Sequence, residues 1–227
     1  ALFIAVEPSL LWHPSVAIVG SRSPTAGGRD NAAAFAGAFA RSGLGVVSGL
    51  ALGVDAAAHR AALDAGGVTV AVLGSGIDRA YPSRNRGLCA DIAAAGAVVS
   101  EYRPGSVARA GHFPARNRIV AGLSLATLVV EAAMRSGALI TARLAADAGR
   151  DVFAVPGSIH NPMARGCHRL IRSGAGLVES ADEVVQALAP LAGHLETALR
   201  ERLGDPIKVP GTPPDGPDEG FPAADPD

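Results

Sequence analysis

The chain has 227 residues, 48 % of them apolar and 4 % aromatic, with 28 glycines, two cysteines and a formal net charge of −1. Such a length buries a real core, and the mix suits helices packed closely on a sheet while excluding a disulfide scaffold or a fibrous repeat. Cys89 and Cys167 fit no metal-ligand spacing, the first residues lack the basic start and small-residue cleavage site of a signal peptide, and Glu131 interrupts the best apolar run, so a reducing, cytoplasmic setting without membrane contact is expected.

Residues 1–13 hold no clear element and read as the remnant of a preceding region. From residue 14 on, short runs rich in Val, Ile and Leu alternate with Ala-rich stretches. Strands are predicted at Val16–Val19, Gly45–Val47, Thr69–Leu73, Ala97–Ser100, Ala126–Val130 and Asp151–Val155. Helices are predicted between them, near 27–42, 54–66, 84–95, 115–123 and 137–149. Two more are expected at 165–174 and 181–189, the second opened by the cap-like Ser180 and Asp182. The strands are almost uniformly apolar, as when both faces of a parallel sheet are covered. The alternation implies right-handed crossovers and an α/β fold with a doubly wound, mostly parallel sheet, an extended Rossmann-like domain over residues 14–190. Residues 191–227, dominated by Pro, Gly and acid beyond about residue 204, read as a linker or disordered tail.

In a parallel sheet, ligands bind outside the carboxyl ends of the strands, so the residues that follow each strand are the informative ones. The first predicted strand ends in Gly20-Ser21-Arg22-Ser23, with Thr25 and Gly27-Gly28 opening the helix. The second ends in Ser48-Gly49, the third in Gly74-Ser75-Gly76 and the fourth in Ser100-Glu101. The fifth ends in Glu131-Ala132, with Ser136-Gly137 and Thr141 opening its helix, and the sixth in Pro156-Gly157-Ser158. Edges that are small, hydroxyl-bearing or glycine let backbone N–H groups and helix N-termini approach an anion. A dinucleotide fingerprint is absent, because the first strand supplies Gly-Ser-Arg and the second closes on Ser48 rather than an acid. No Gly-Lys-Ser/Thr exists either, so a Walker A loop is excluded and no cofactor or metal is expected.

Cations distinguish the two parts of the chain. Lys208 is the only lysine, so every cation of residues 1–194 is one of 17 arginines, set against 13 acids. Arginine's planar fork suits phosphates and bases, although GC-rich coding produces the same bias. His112-Phe113-Pro114-Ala115-Arg116-Asn117-Arg118 reads in two ways. It is a phosphate- and base-binding element, or a helix start with solvated arginines and a buried Phe. Asp55 and His59 share a helix face without a third partner, which makes His59 a packing residue. Glu101 and Glu131 at strand ends form a carboxylate pair for glycosidic chemistry, or anchor neighbouring arginines.

Taken together and in order, the motifs resemble one family. Gly20-Ser-Arg, Ser48-Gly-Leu-Ala-Leu-Gly-Val-Asp-Ala-Ala-Ala-His59, Ala71-Val-Leu-Gly-Ser-Gly76, Tyr81-Pro, Ser100-Glu-Tyr, Phe113-Pro-Ala-Arg-Asn-Arg118, Glu131-Ala, Ser136-Gly-Ala-Leu-Ile-Thr-Ala142 and Phe153-Ala-Val-Pro-Gly157 are similar to the DNA-processing protein A family (DprA, also called Smf) over residues 14–186. The resemblance implies a non-catalytic, homodimeric protein that binds single-stranded DNA and loads RecA on incoming DNA in natural transformation, with single-strand-binding protein a further partner. It places DNA at Arg22, Phe113, Arg116, Asn117 and Arg118, beside Gly20, Ser21, Ser48, Gly49, Gly74, Ser75, Gly76, Ser136, Gly137 and Thr141. It places self-association on the late segment with His168, Ile171 and Leu177. The family's pocket lysines have no counterpart here, since residues 1–194 contain none. The competing expectation is a Rossmann-like nucleotide or nucleoside hydrolase acting through Glu101 or Glu131, although its Pro-Gly-Gly-x-Gly-Thr-x-x-Glu signature is missing.

Overall fold

In the computed structural model, residues 1–5 and 8–191 are described, and those below belong to one compact unit, Ala1–Pro190. The tail expected over 191–227 therefore lies outside the described residues apart from Leu191. The elements are β1 (Phe3–Ala5), β2 (Ser15–Val19), α1 (Ala26–Arg41), β3 (Gly45–Ser48), α2 (Val54–Asp64) and β4 (Thr69–Leu73). Then come α3 (Arg86–Ala95), β5 (Ala97–Ser100), α4 (His112–Gly122), β6 (Ala126–Val129), α5 (Ala138–Asp147), β7 (Asp151–Ala154), α6 (Arg165–Arg172), β8 (Gly176–Leu177) and a helix α7 over 181–190.

The strands form one eight-stranded sheet in the order β1-β5-β4-β3-β2-β6-β7-β8. Every neighbouring pair is parallel except β1 against β5. The doubly wound α/β class expected from the sequence is the class observed. Within β2, successive residues serve opposite faces. Val16 and Ile18 pack with Phe35 and Phe39 of α1 and with Val54 and Ala58 of α2, while Ala17 and Val19 pack with Ile119 and Val120 of α4 and Ala142 of α5. Both faces are therefore covered, which explains why the strand sequences are apolar without alternation. A separate cluster of Leu50, Leu73, Leu88 and Ile92 seats α3 beside α2.

Three differences from the sequence reading have local causes. Residues 1–13 are not featureless: Phe3–Ala5 is an antiparallel edge strand on β5, and a 3-10 turn spans Pro8–Trp12. A three-residue strand is too short to show a period. The helix expected from 115 begins at His112, because Pro114 falls in its first turn, where a missing N–H costs no helical bond. The helix expected from 84 opens as a 3-10 turn over Ser83–Asn85. Among the described residues, no helix is long and apolar enough to cross a membrane.

The winding reverses at β2. Its neighbour β3 leads outward to β4, β5 and β1, and its other neighbour β6 leads to β7 and β8. Chain leaving β2 and β6 thus diverges, which is where an open α/β sheet forms its ligand crevice.

Candidate functional site

A cleft of about 630 Å3 opens at that switch point. The turn after β2 (Gly20, Ser21, Arg22), Gly49 after β3, the start of α4 (Phe113, Arg116, Asn117) and the loop into α5 (Arg135, Ser136, Gly137, Thr141) all line it. Two of its features come directly from buried polar contacts.

The first is Arg116, buried despite its charge. Its Nη1 donates to the Gly49 carbonyl at 2.7 Å and also to the Val72 carbonyl, while Nε donates to Asn117 Oδ1 at 3.0 Å. The neighbouring Asp55 carboxylate accepts the Gly49 and Ala51 N–H groups at 3.1 and 3.3 Å, pinning the β3–α2 turn. Burial pushes the Asp55 carboxyl up from its ordinary range, opposed by the Arg116 charge and these hydrogen bonds. Burial likewise lowers Arg116, opposed by Asp55. Both charges are buried at the cleft floor and attract one another, each held there by hydrogen bonds to the backbone.

The second is Glu131, at the end of β6. Its Oε2 accepts the Thr25 N–H at 2.9 Å, and its Oε1 accepts the Thr25 hydroxyl at 2.6 Å and the Asn161 amide at 3.3 Å. Thr25 is the N-cap of α1 and accepts the Gly28 N–H at 3.0 Å. The carboxylate lies directly beneath the first helical turn, for a Cβ on Gly28 would sit 2.4 Å from Glu131 Cδ. A negative charge is favoured at the positive end of a helix dipole. Glu131 takes that place with a side chain of the protein itself.

Around these anchors the rim carries Arg22, exposed, with its guanidinium carbon 5.3 Å from the Phe113 ring centroid. Phe113 in turn lies 5.4 Å from the ring of Tyr81, which is 52 % exposed. Arg135, in the loop into α5, is exposed and lines the same cleft. Neither Arg22 nor Arg135 takes part in an ion pair among the described residues.

The cleft thus brings together Gly20, Ser21, Arg22, Gly49, Phe113, Arg116, Asn117, Ser136, Gly137 and Thr141 from the sequence reading. The others lie elsewhere. Ser48 is fully buried, and its hydroxyl donates to the Ile18 carbonyl at 2.6 Å. Gly74, Ser75 and Gly76 lie under the β5–α4 loop: Gly74 faces Phe113, Gly76 N–H donates to Ser106 at 2.8 Å, and Ser75 Oγ donates to Arg79 at 2.5 Å. Arg118 pairs with Glu101. His168 Nε2 donates to the Gly157 carbonyl, 2.9 Å away, while Ile171 is half-buried and Leu177 is 48 % exposed on β8. The sequence reading missed Arg135, whose only signal is a cation set between β6 and the glycine that opens α5.

The remaining reactive groups do not converge. Both cysteines are buried; burial pushes the Cys89 thiol up and Cys167 up to about 11. Neither is thus a nucleophile near neutrality. Among the described residues, no three His, Cys, Asp or Glu side chains gather as a metal site.

Comparison with known proteins gives the family and the fold. The model of the family described as DNA recombination-mediator protein A matches residues 1–189. A protein Smf of Synechocystis sp. is 48 % identical over 178 residues, covering 78 % of this chain and 45 % of its own length. The solved structure of DNA processing protein A from Streptococcus pneumoniae superposes with a TM-score of 0.78 at 47 % identity, over 82 % of this chain and 65 % of that one. DNA processing protein A from Helicobacter pylori, solved for insight into its single-stranded DNA binding mode, gives a TM-score of 0.76 at 31 % identity, over 83 % and 86 % of the two chains. The chain spans between 45 % and 65 % of the length of curated relatives such as those from Synechocystis sp., Streptococcus pneumoniae and Escherichia coli.

Proposed function

The chain belongs to the DNA recombination-mediator protein A family, and from that premise we propose that it binds single-stranded DNA in the cleft at the carboxyl ends of β2 and β6. The observation that carries this reading is that two arginines outside any ion pair among the described residues, Arg22 and Arg135, line the same open crevice as a half-exposed ring, Phe113. Arginines lining a crevice follow a phosphate backbone, and a ring beside one of them stacks any base, which gives affinity without sequence preference. Gly20, Ser21, Ser136, Gly137 and Thr141 supply small, polar walls that let the strand approach. Arg116 and Asn117 set the floor rather than the phosphate contacts.

In this reading the binding domain is residues 14–190. The protein acts in the cytoplasm as a homodimer through the face bearing His168, Ile171 and Leu177, and hands the strand to RecA, alongside single-strand-binding protein, without itself catalysing a reaction. The hydrolase alternative loses its support, since the Glu131 carboxylate is engaged by Thr25 and Asn161, and Glu101 by Arg118.

Fluorescence anisotropy with labelled oligothymidylate and a matched duplex, across a salt series, tests the proposal. Preferential binding of the single strand that weakens steeply with salt is expected. Equal or absent binding of both overturns it.

A further inference from the structure

In dinucleotide-binding sheets the N-terminus of the first helix receives a ligand phosphate. Here the corresponding helix, α1, is closed by the protein's own carboxylate. Glu131 meets both the backbone N–H and the hydroxyl of Thr25, and Gly28 leaves room for nothing else above it. Glu131 also acts through its backbone, since its carbonyl accepts the Ser21 N–H at 2.7 Å. One residue just beyond β6 therefore grips the β2–α1 turn on both sides of Arg22, at Ser21 and at Thr25.

Other contacts complete the clamp. The Ser21 carbonyl accepts the Val54 N–H at 3.1 Å, and Ser21 Oγ accepts the Ser23 N–H at 3.1 Å. A Cβ on Gly20 would come within 2.6 Å of Val54 Cγ2 and 3.0 Å of the Glu131 carbonyl, so the turn packs closely against the start of α2 and the Glu131 backbone. Arg22 itself makes no such bond; its one ring contact is with Phe113. Its direction is set by the backbone on either side.

We infer that Glu131 is a positioning residue for strand binding: by standing at the N-terminus of α1 where a phosphate otherwise sits, it fixes the Ser21–Thr25 turn and presents Arg22 to the DNA backbone. The inference rests on the strand-binding reading above. It assigns the pre-organisation of the cleft to a carboxylate, a group that on charge alone opposes a nucleic acid. The arrangement is favourable because this carboxylate is buried against the N–H and hydroxyl of Thr25 at the positive end of α1, and Arg22 is exposed. It also keeps phosphates away from α1 and leaves them the Arg22 side of the rim.

The test uses the full chain and a four-way comparison of unaltered protein, Glu131→Gln, Arg22→Ala and the double variant, each titrated with labelled oligothymidylate across a salt series. Gln keeps the shape of the side chain but presents an N–H2 to a site built from donors. If Glu131 acts through Arg22, Glu131→Gln weakens binding and lowers the log–log salt slope by about 0.7, the value for one lost single-strand phosphate contact. The double variant then binds no more weakly than Arg22→Ala alone, because residues acting through one contact are not additive. Thr25→Val repeats the measurement from the other partner, where losing one cap hydroxyl is too small a change to unfold the domain, and Thr25→Ser restores affinity and slope. An unchanged slope in Glu131→Gln and Thr25→Val, or losses that add to those of Arg22→Ala, overturns the inference while strand binding stands. Failure of the unaltered protein to bind oligothymidylate overturns the strand-binding reading itself.

Discussion

The guanidinium of Arg116 occupies the space above Gly49 in which a Cβ would lie, 2.1 Å from Nη2. The same guanidinium bonds the carbonyls of Gly49 and Val72, tying the ends of β3 and β4 together from below the cleft. A charge held in this way stabilises a surface rather than reaching out of it. Gly49→Ala is expected to cost about 1–3 kcal/mol through overpacking. Arg116→Ala is expected to cost roughly 3–5 kcal/mol by leaving the buried Asp55 carboxyl without its neighbouring charge and two carbonyls without their donor. Urea midpoints check both. The cost of Gly49→Ala should shrink in an Arg116→Met background, and an undiminished cost there would disprove the contact as its cause.

Arg22→Ala should separate binding from stability. The side chain is exposed and makes no hydrogen bond or ion pair given by the geometry, so the urea midpoint should stay within about 0.5 kcal/mol of the original. Oligothymidylate affinity should fall for every base composition, with the salt slope reduced by about 0.7. Phe113→Ala should weaken binding by about 1–3 kcal/mol per stacked base and leave the slope alone. A slope that falls for Phe113 and holds for Arg22 would reverse the two roles.

These contrasts show where sequence reasoning ends. The alternation of apolar runs and Ala-rich helices gives the sheet class, because burial on both faces is written in composition. The strand-end glycines and hydroxyls mark the carboxyl edge of the sheet, where the cleft opens. What they do not give is direction. Ser48 and Arg22 follow the same kind of strand, yet one hydroxyl turns into the sheet toward Ile18 and one cation turns out toward Phe113. Arg116 and Arg118 are two residues apart on α4, so one points down to β3 and β4 and the other meets Glu101. Glu131 appeared as a catalytic carboxylate or an arginine anchor; its partner is Thr25, 106 residues away. Contacts of that range leave no local pattern.

Self-association is checked at Leu177. It is 48 % exposed on β8, a two-residue edge strand paired on one side by β7. An apolar side chain on an unpaired edge invites a second copy. Leu177→Glu should convert a dimer to monomer in sedimentation velocity without lowering the melting temperature of the domain. A monomeric unaltered protein at micromolar concentration would remove the dimer from the proposed function.

Stability should also depend on pH through His59, which is fully buried. Its Nδ1 lies 2.7 Å from Thr69 Oγ1, and that hydroxyl donates to the Val46 carbonyl at 2.9 Å, so the network requires the proton on Nδ1. Nε2 has no hydrogen-bond partner, and a second proton there would be a buried, unpartnered charge. Burial, aided by the nearby Arg116 charge, holds the imidazole down to about 3 against an ordinary 6.5. Between those values the unfolded chain binds a proton that the folded chain refuses, so stability is complete above about 6.5 and falls as the pH drops. The slope is about 1.4 kcal/mol per pH unit inside the window. Asp55, whose carboxyl burial pushes up, contributes with the opposite sign, and comparison with a His59→Gln variant subtracts it. That variant starts less stable at pH 7, yet its urea midpoint should decline more shallowly than the unaltered protein's from pH 6.5 to 5. Parallel declines would mean that His59 is not the residue that resists acid.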